Sequence, residues 1–220
     1  MTYKVAKLSK PVHLDARWDK EPWNGITPLL IGRYMGTKPE HFPKTQARIA
    51  YDDETVYVIF RVEDRYVRAT CRNHQEAAFR DSCVEFFFTP GPDVARGYFN
   101  LEMNCGGRML LCFQTAPGRD SVRQFTIDEC NAIQVAHSMP GLVEDEITEP
   151  TTWTVEYRIP LDLLEKYCSV DRPAPGVVWR ANLFKCADAT SHPHWLTWSP
   201  VDFPSPRFHL PQFFGTLEFE

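Results

Sequence analysis

Residues 47–64 constrain the fold more than any other stretch of this chain. Ala47-Arg48-Ile49-Ala50-Tyr51 alternates and stops at the acidic turn Asp52-Asp53-Glu54, after which residues 55–64 alternate again. Successive side chains on a strand point to opposite faces, so a run of that length reads as a half-buried strand. The short turn brings it back against its neighbour as a hairpin. The pattern recurs down the chain. Residues 83–89 stop at Pro90-Gly91-Pro92, residues 98–104 stop at Gly106-Gly107, and residues 108–114 look like the hairpin partner of the latter. Residues 132–137, 153–159, 177–185, 195–198 and a closing 216–219 follow as further strands. Only residues 161–167, after Pro160, read as helix.

Many short strands and almost no helix predict an all-β fold, a jelly-roll-like or immunoglobulin-like β-sandwich with one short helix. Hydrophobic content of 43% with 13% aromatics supports a full core. Eighteen prolines against eleven glycines favour stiff loops and edge breaks over long helices. No repeat, linker or low-complexity segment interrupts residues 1–220, so the chain reads as one domain. Its closing strand, reached through a turn at Gly215, belongs to the same cooperative structure.

A formal charge of −5 excludes a nucleic-acid surface, which needs a basic face. The apolar runs are too short for a membrane span. Met1-Thr2-Tyr3-Lys4-Val5-Ala6-Lys7 has no apolar h-region, so no signal peptide is visible and the chain is cytoplasmic or lacks its leader. Seven cysteines without a Cys-x-x-Cys pair read as reduced, mostly buried thiols, not as a disulfide framework or zinc motif.

The order of motifs resembles the family 9 carbohydrate-binding modules, found in xylanases and as standalone bacterial proteins. The resemblance begins with Leu14-Asp15 and the Trp18 to Trp23 region, then Ile49-Ala50-Tyr51-Asp52-Asp53-Glu54. It continues through Arg80-Asp81-Ser82-Cys83-Val84-Glu85-Phe86-Phe87 and Trp153-Thr154-Val155-Glu156-Tyr157-Arg158-Ile159-Pro160. Trp179-Arg180-Ala181-Asn182-Leu183-Phe184, Trp198-Ser199-Pro200, Phe208-His209-Leu210-Pro211 and Phe214-Gly215 complete it.

Such resemblance implies non-catalytic binding of a mono- or oligosaccharide in polysaccharide catabolism, a glycoside hydrolase as partner, and calcium as the cofactor that acidic loops can hold. Known members clasp a sugar ring between two tryptophans, and the matching positions here are Phe79 and Phe208. Glu85 matches a residue that hydrogen-bonds sugar hydroxyls. Asn100 and Glu102 occupy polar slots on the neighbouring strand, where the family's arginine is absent or has become Asn100. His209, beside Phe208, is placed to hydrogen-bond a ligand. No catalytic residue is implied.

Sugar rings have apolar C–H faces and hydroxyl-bearing edges, so a binder needs flat aromatics and polar side chains together. Alternation puts Asn100, Glu102 and Asn104 on one face of their strand and Phe99, Leu101 and Met103 on the other, which is core. The polar face has two readings: a sugar-binding hollow flanked by Phe79 and Phe208, or a solvated outer surface. The other acids, Asp52-Asp53-Glu54 and Glu144-Asp145-Glu146, read as solvated turns or calcium loops. His192-Pro193-His194 lacks an obvious third metal ligand. Two alternative functions stand beside sugar binding. An endoxylanase-like glycoside hydrolase would use Glu85 and Glu102 as its carboxyl pair, and a haem or cofactor sandwich would need Met103 and His209 to converge.

Overall fold

The computed structural model describes residues 1–115 and 121–220. The first strands are β1 (Thr2–Lys7), β2 (Leu29–Ile31), β3 (Arg33–Tyr34), β4 (Lys44–Tyr51), β5 (Thr55–Asp64) and β6 (Val67–Ala69). Then come β7 (Cys83–Thr89), β8 (Tyr98–Asn104), β9 (Met109–Gln114), β10 (Val122–Gln124) and β11 (Gln134–His137). The last are β12 (Val143–Ile147), β13 (Thr151–Pro160), β14 (Val178–Cys186), β15 (Trp195–Thr197) and β16 (Gly215–Phe219). Helices α1 (Ile127–Asn131) and α2 (Leu161–Glu165) are each little more than a turn.

The expected β-sandwich is what forms. One sheet runs β10-β9-β8-β7-β14-β16-β1 and the other β1-β4-β5-β13-β11. β1 belongs to both, pairing in parallel with β16 through Thr2 to Val5 and with β4 through Ala6 and Lys7. The β4–β5 hairpin has the predicted turn: Asp52 Oδ1 accepts from the Glu54 amide and Oδ2 from the Tyr57 hydroxyl.

Alternation decides what each sheet buries. Val84, Phe86 and Phe88 of β7 and Phe99, Leu101 and Met103 of β8 enter one core with Val58, Phe60, Val155 and Tyr157 of the second sheet. Each such side chain contributes about 1.5–3 kcal/mol relative to an exposed one. One charge crosses this core. Lys185 of β14 lies 3.4 Å from Asp64 Oδ2 on β5 and bonds the His194 ring at 2.8 Å. Burial works against the Asp64 carboxylate, but the Lys185 charge and the His41 bond hold it well below the usual range. Burial, then Lys185, push His194 down to about 3, leaving the ring neutral.

Several expectations are corrected. A second short helix, α1, follows a capping box in which the Thr126 and Glu129 side chains each take the other's backbone amide; the Thr-x-x-Glu spacing was its signal. The N-terminal residues, assessed only as a leader, form β1, with Tyr3 and Val5 turned inward. Gly215 is not a turn. It opens β16, where a Cβ would sit 2.9 Å from the Met1 carbonyl and 2.8 Å from the Trp198 ring, so close approach demands glycine there. Glu144 to Glu146 lie within β12, not in a loop.

The outer face of the first sheet carries the strand positions named as candidates. Asn100, Glu102 and Asn104 are 2%, 2% and 0% exposed, so the solvated-surface reading of that face is overturned. Segments around Phe79 and around Phe208 cover it, through two small apolar clusters that lie apart from the main core.

Candidate functional site

Phe79 rides on a single 3-10 turn, residues 78–80, that leads into β7. Two bonds tie that turn to the end of β14: the Asp188 amide donates to the Phe79 carbonyl at 3.1 Å, and the Ala189 amide to the Arg80 carbonyl at 3.0 Å. Asp81 clamps it from behind, accepting from the Thr70 amide and hydroxyl, the Cys71 amide and Asn104 Nδ2 at 2.8–3.1 Å. A carboxylate with four donors is a structural fastener, the role a turn acid plays.

Phe208 lies on the loop between β15 and β16. Its ring stacks on Phe184 of β14, centroids 4.0 Å apart and planes 13° from parallel. His209 follows, its Nδ1 3.0 Å from both the Tyr98 hydroxyl and Gln114 Nε2. Gln114 also donates to Asn100 Oδ1 at 2.8 Å, and Asn100 Nδ2 donates to Glu102 Oε1 at 3.0 Å. A chain of hydrogen bonds thus runs from the loop across the floor of the sheet, which fixes His209 and Glu102 relative to each other.

Glu85 and Glu102 are directly opposed on β7 and β8. Glu85 Oε1 accepts from the Cys186 thiol at 3.1 Å. Burial, then Cys186 and Glu102, push the Glu85 carboxyl well above the ordinary 4.5. Burial thus favours its protonated form, which can donate as well as accept.

These pieces enclose a cavity of about 240 Å³, lined by Phe79, Glu85, Glu102, Phe208 and His209. An adjoining hollow of about 240 Å³ shares Phe79, Glu102 and His209 and adds Asn100 and Gln114. All six predicted positions meet around this pair of hollows. Trp195, Asp188 and Arg207 also line the first, and sequence reasoning missed them. Trp195 stands opposite Cys186 in the β14–β15 pairing and donates Nε1–H to Asp188 Oδ1 at 2.8 Å. Alternation was the available signal: Leu196 and Trp198 are core, so Trp195, next to Leu196, faces the other way.

The profile of carbohydrate-binding family 9 matches residues 29–219. The chain belongs to carbohydrate-binding family 9. Its function is carbohydrate binding. A presumed carbohydrate-binding protein from Bacteroides uniformis superposes at TM-score 0.88 with 27% identity, covering 100% of this chain and 99% of that one. Family 9 modules from Caldicellulosiruptor kristjanssonii, solved with glucose and with cellotriose, share the fold at TM-score 0.66 and 14% identity. They cover all of this chain and 96% and 94% of their own. No curated protein sequence matches.

Within this family 9 domain, three aromatic side chains, Phe79, Phe208 and Trp195, line the first hollow. Several of the acids named as calcium loops are otherwise engaged. Asp53 pairs with Lys7, Glu144 with Arg72, and Glu146 with Ser191. Among the described residues neither run gathers three donor groups for an ion. His194 is buried against Lys185 while His192 stacks on Tyr66 at 3.6 Å, so that pair diverges. The haem alternative fails on geometry: Met103 points into the main core and His209 sits over the opposite face of β8.

Proposed function

We propose that this domain binds a glucose-type pyranose, alone or at the end of a short oligosaccharide, in the paired hollows over β7, β8 and β14. The supporting observation is the convergence of Phe79, Phe208 and Trp195 with Glu85, Glu102 and His209 around one cavity. Phe79 and Phe208 pack on the apolar C–H faces of the ring. Glu85, Glu102 and His209 meet hydroxyls in the first hollow, and Asn100 does so in the second. At about 240 Å³ the first hollow is below the ~300–1,000 Å³ of drug-sized sites, which suits one ring at a time. The complexes of the Caldicellulosiruptor modules with glucose and cellotriose favour that ligand class. A glycoside hydrolase partner belongs to the same proposal, since a tethered sugar binder raises the enzyme's effective concentration on its substrate.

Calorimetry against glucose, cellobiose, cellotriose, xylose and xylobiose tests the reading. Micromolar-to-millimolar binding of at least one sugar is expected. It should weaken at least about tenfold, ~1.4 kcal/mol, in Phe208→Ala and in Glu85→Ala. Absence of heat with every sugar, from protein whose circular dichroism shows the sandwich intact, refutes it.

A further inference from the structure

Sugar recognition leaves one cluster beneath the cavity unexplained. Cys83 of β7 and Cys186 of β14 are directly opposed, and Glu85 follows Cys83 by two positions. Alternation therefore turns all three side chains to the same face. One donor atom from each, two sulfurs and a carboxylate oxygen, lie within 4.8 Å of one another. The three residues are 0%, 1% and 2% exposed for Cys83, Cys186 and Glu85. Glu85 Oε2 is buried and has no hydrogen-bond partner among the described residues. An orphaned buried oxygen costs about 1–3 kcal/mol, and family-wide sugar binding at the cavity wall does not account for two thiols next to it.

Most buried cysteines are inert small hydrophobes. Cys71, Cys105, Cys112 and Cys130 fit that description. Cys83 and Cys186 differ because they face each other and share a carboxyl. The surroundings are also acidic, with Glu102 and Asp188 both acting on Glu85. The cation felt by both thiols is Lys185. Its ammonium lies on the other face of β14, held by Asp64 and His194. Lys185 thus stays out of the cluster, and the cation on the cavity side is Arg207, which lines the hollow with Glu85, Glu102, Cys186 and Asp188.

We propose that Cys83, Glu85 and Cys186 form a binding site for a zinc-type divalent ion, with a fourth position open to the cavity. Two thiolates and a carboxylate suit a borderline-soft tetrahedral ion, whereas calcium and magnesium take oxygen ligands throughout. Zinc–sulfur and zinc–oxygen bonds of about 2.3 and 2.0–2.2 Å set donors some 3.5–3.8 Å apart, within reach of small rotations from the present spread. On binding, the two S–H bonds and the carboxyl O–H bond break, and the three protons leave through the cavity. The metal takes the freed electron pairs, and water or another small oxygen ligand fills the fourth position. Successive ligands sit 2 and 101 positions apart along the chain, which is why no spacing motif announces them.

The site needs no sugar, so it is tested on the sugar-free, reduced, metal-free full chain titrated with cadmium(II) and cobalt(II). A thiolate-to-cadmium ultraviolet band saturating at one equivalent is expected, together with the intense visible bands of tetrahedral cobalt. Both should persist in Cys71→Ser and vanish in the Cys83→Ser/Cys186→Ser double variant. Glu85→Gln, which keeps the side chain's shape, should lower metal affinity at least about tenfold. No thiolate band in the unaltered protein, a band retained by the double variant, or unchanged affinity in Glu85→Gln overturns the proposal. Should the double variant fail to fold, the Glu85→Gln titration decides alone.

Discussion

Glu85→Gln preserves the outline of a buried side chain and removes its only ionisable group, which makes the cost of that group measurable. In the folded protein, burial first and then Cys186, Glu102 and Asp188 raise the carboxyl well above its ordinary 4.5. The folded chain therefore holds a proton at pH values where the unfolded chain has released it. Glu85's contribution is fully present below the ordinary carboxyl range and is lost as pH rises toward the folded-state value. Each pH unit across that window removes about 1.4 kcal/mol from the unaltered protein, and glutamine escapes the loss entirely. At the acid end the comparison runs the other way. Among the described residues the Oε2 position has no partner, so an amide N–H₂ placed there adds unsatisfied donors costing about 1–3 kcal/mol. Urea unfolding with chelator and reductant present, at steps from about pH 5 to about pH 8, reads the difference directly. The variant should begin less stable and gain steadily on the unaltered protein as pH rises. A difference that stays constant across the range would refute the reasoning, because Glu85 would then ionise alike in both states.

Three other substitutions probe the frame around the site. Lys185→Met strands Asp64 in the core and should cost about 3–5 kcal/mol in urea unfolding, with partial recovery when Asp64→Asn is added. Asp81→Ala removes an acceptor of four hydrogen bonds, so hydrogen exchange at the Thr70 and Cys71 amides should accelerate as stability falls by about 2–3 kcal/mol. Gly215→Ala drives a methyl against the Met1 carbonyl and Trp198, and its thermal midpoint should fall by the equivalent of about 1–3 kcal/mol.

The sandwich and much of the site could be read in advance because both rest on local periodicity. The β4–β5 hairpin, β7, β8 and β13 carry long alternating runs, so their faces were assigned before any neighbour was known. Short edge elements such as β3, β6 and β10 were not recognised, having too few residues to show a period. β1 was overlooked because its strand character is earned by pairing with β16 and β4, both distant in sequence. Phe79, Phe208 and Glu85 came from the order of motifs, whereas alternation could turn Trp195 away from Leu196 and only the β14–β15 register set it opposite Cys186.

What the amino-acid order determined by itself is which side chains share a face: Glu85 with Phe87, Asn100 with Glu102, and Lys185 opposite Cys186. That follows from the two-residue repeat of an extended backbone and needs no partner. What the tertiary structure alone decided is the environment of each face. Loops carrying Phe79 and Phe208 close over a polar strand that periodicity would leave in water. Strands a hundred residues apart set two thiols and a carboxyl together. Burial and proximity across such distances come from packing the whole chain into one core, and they raise the carboxyl of an ordinary glutamate well above its usual range at the base of a cavity.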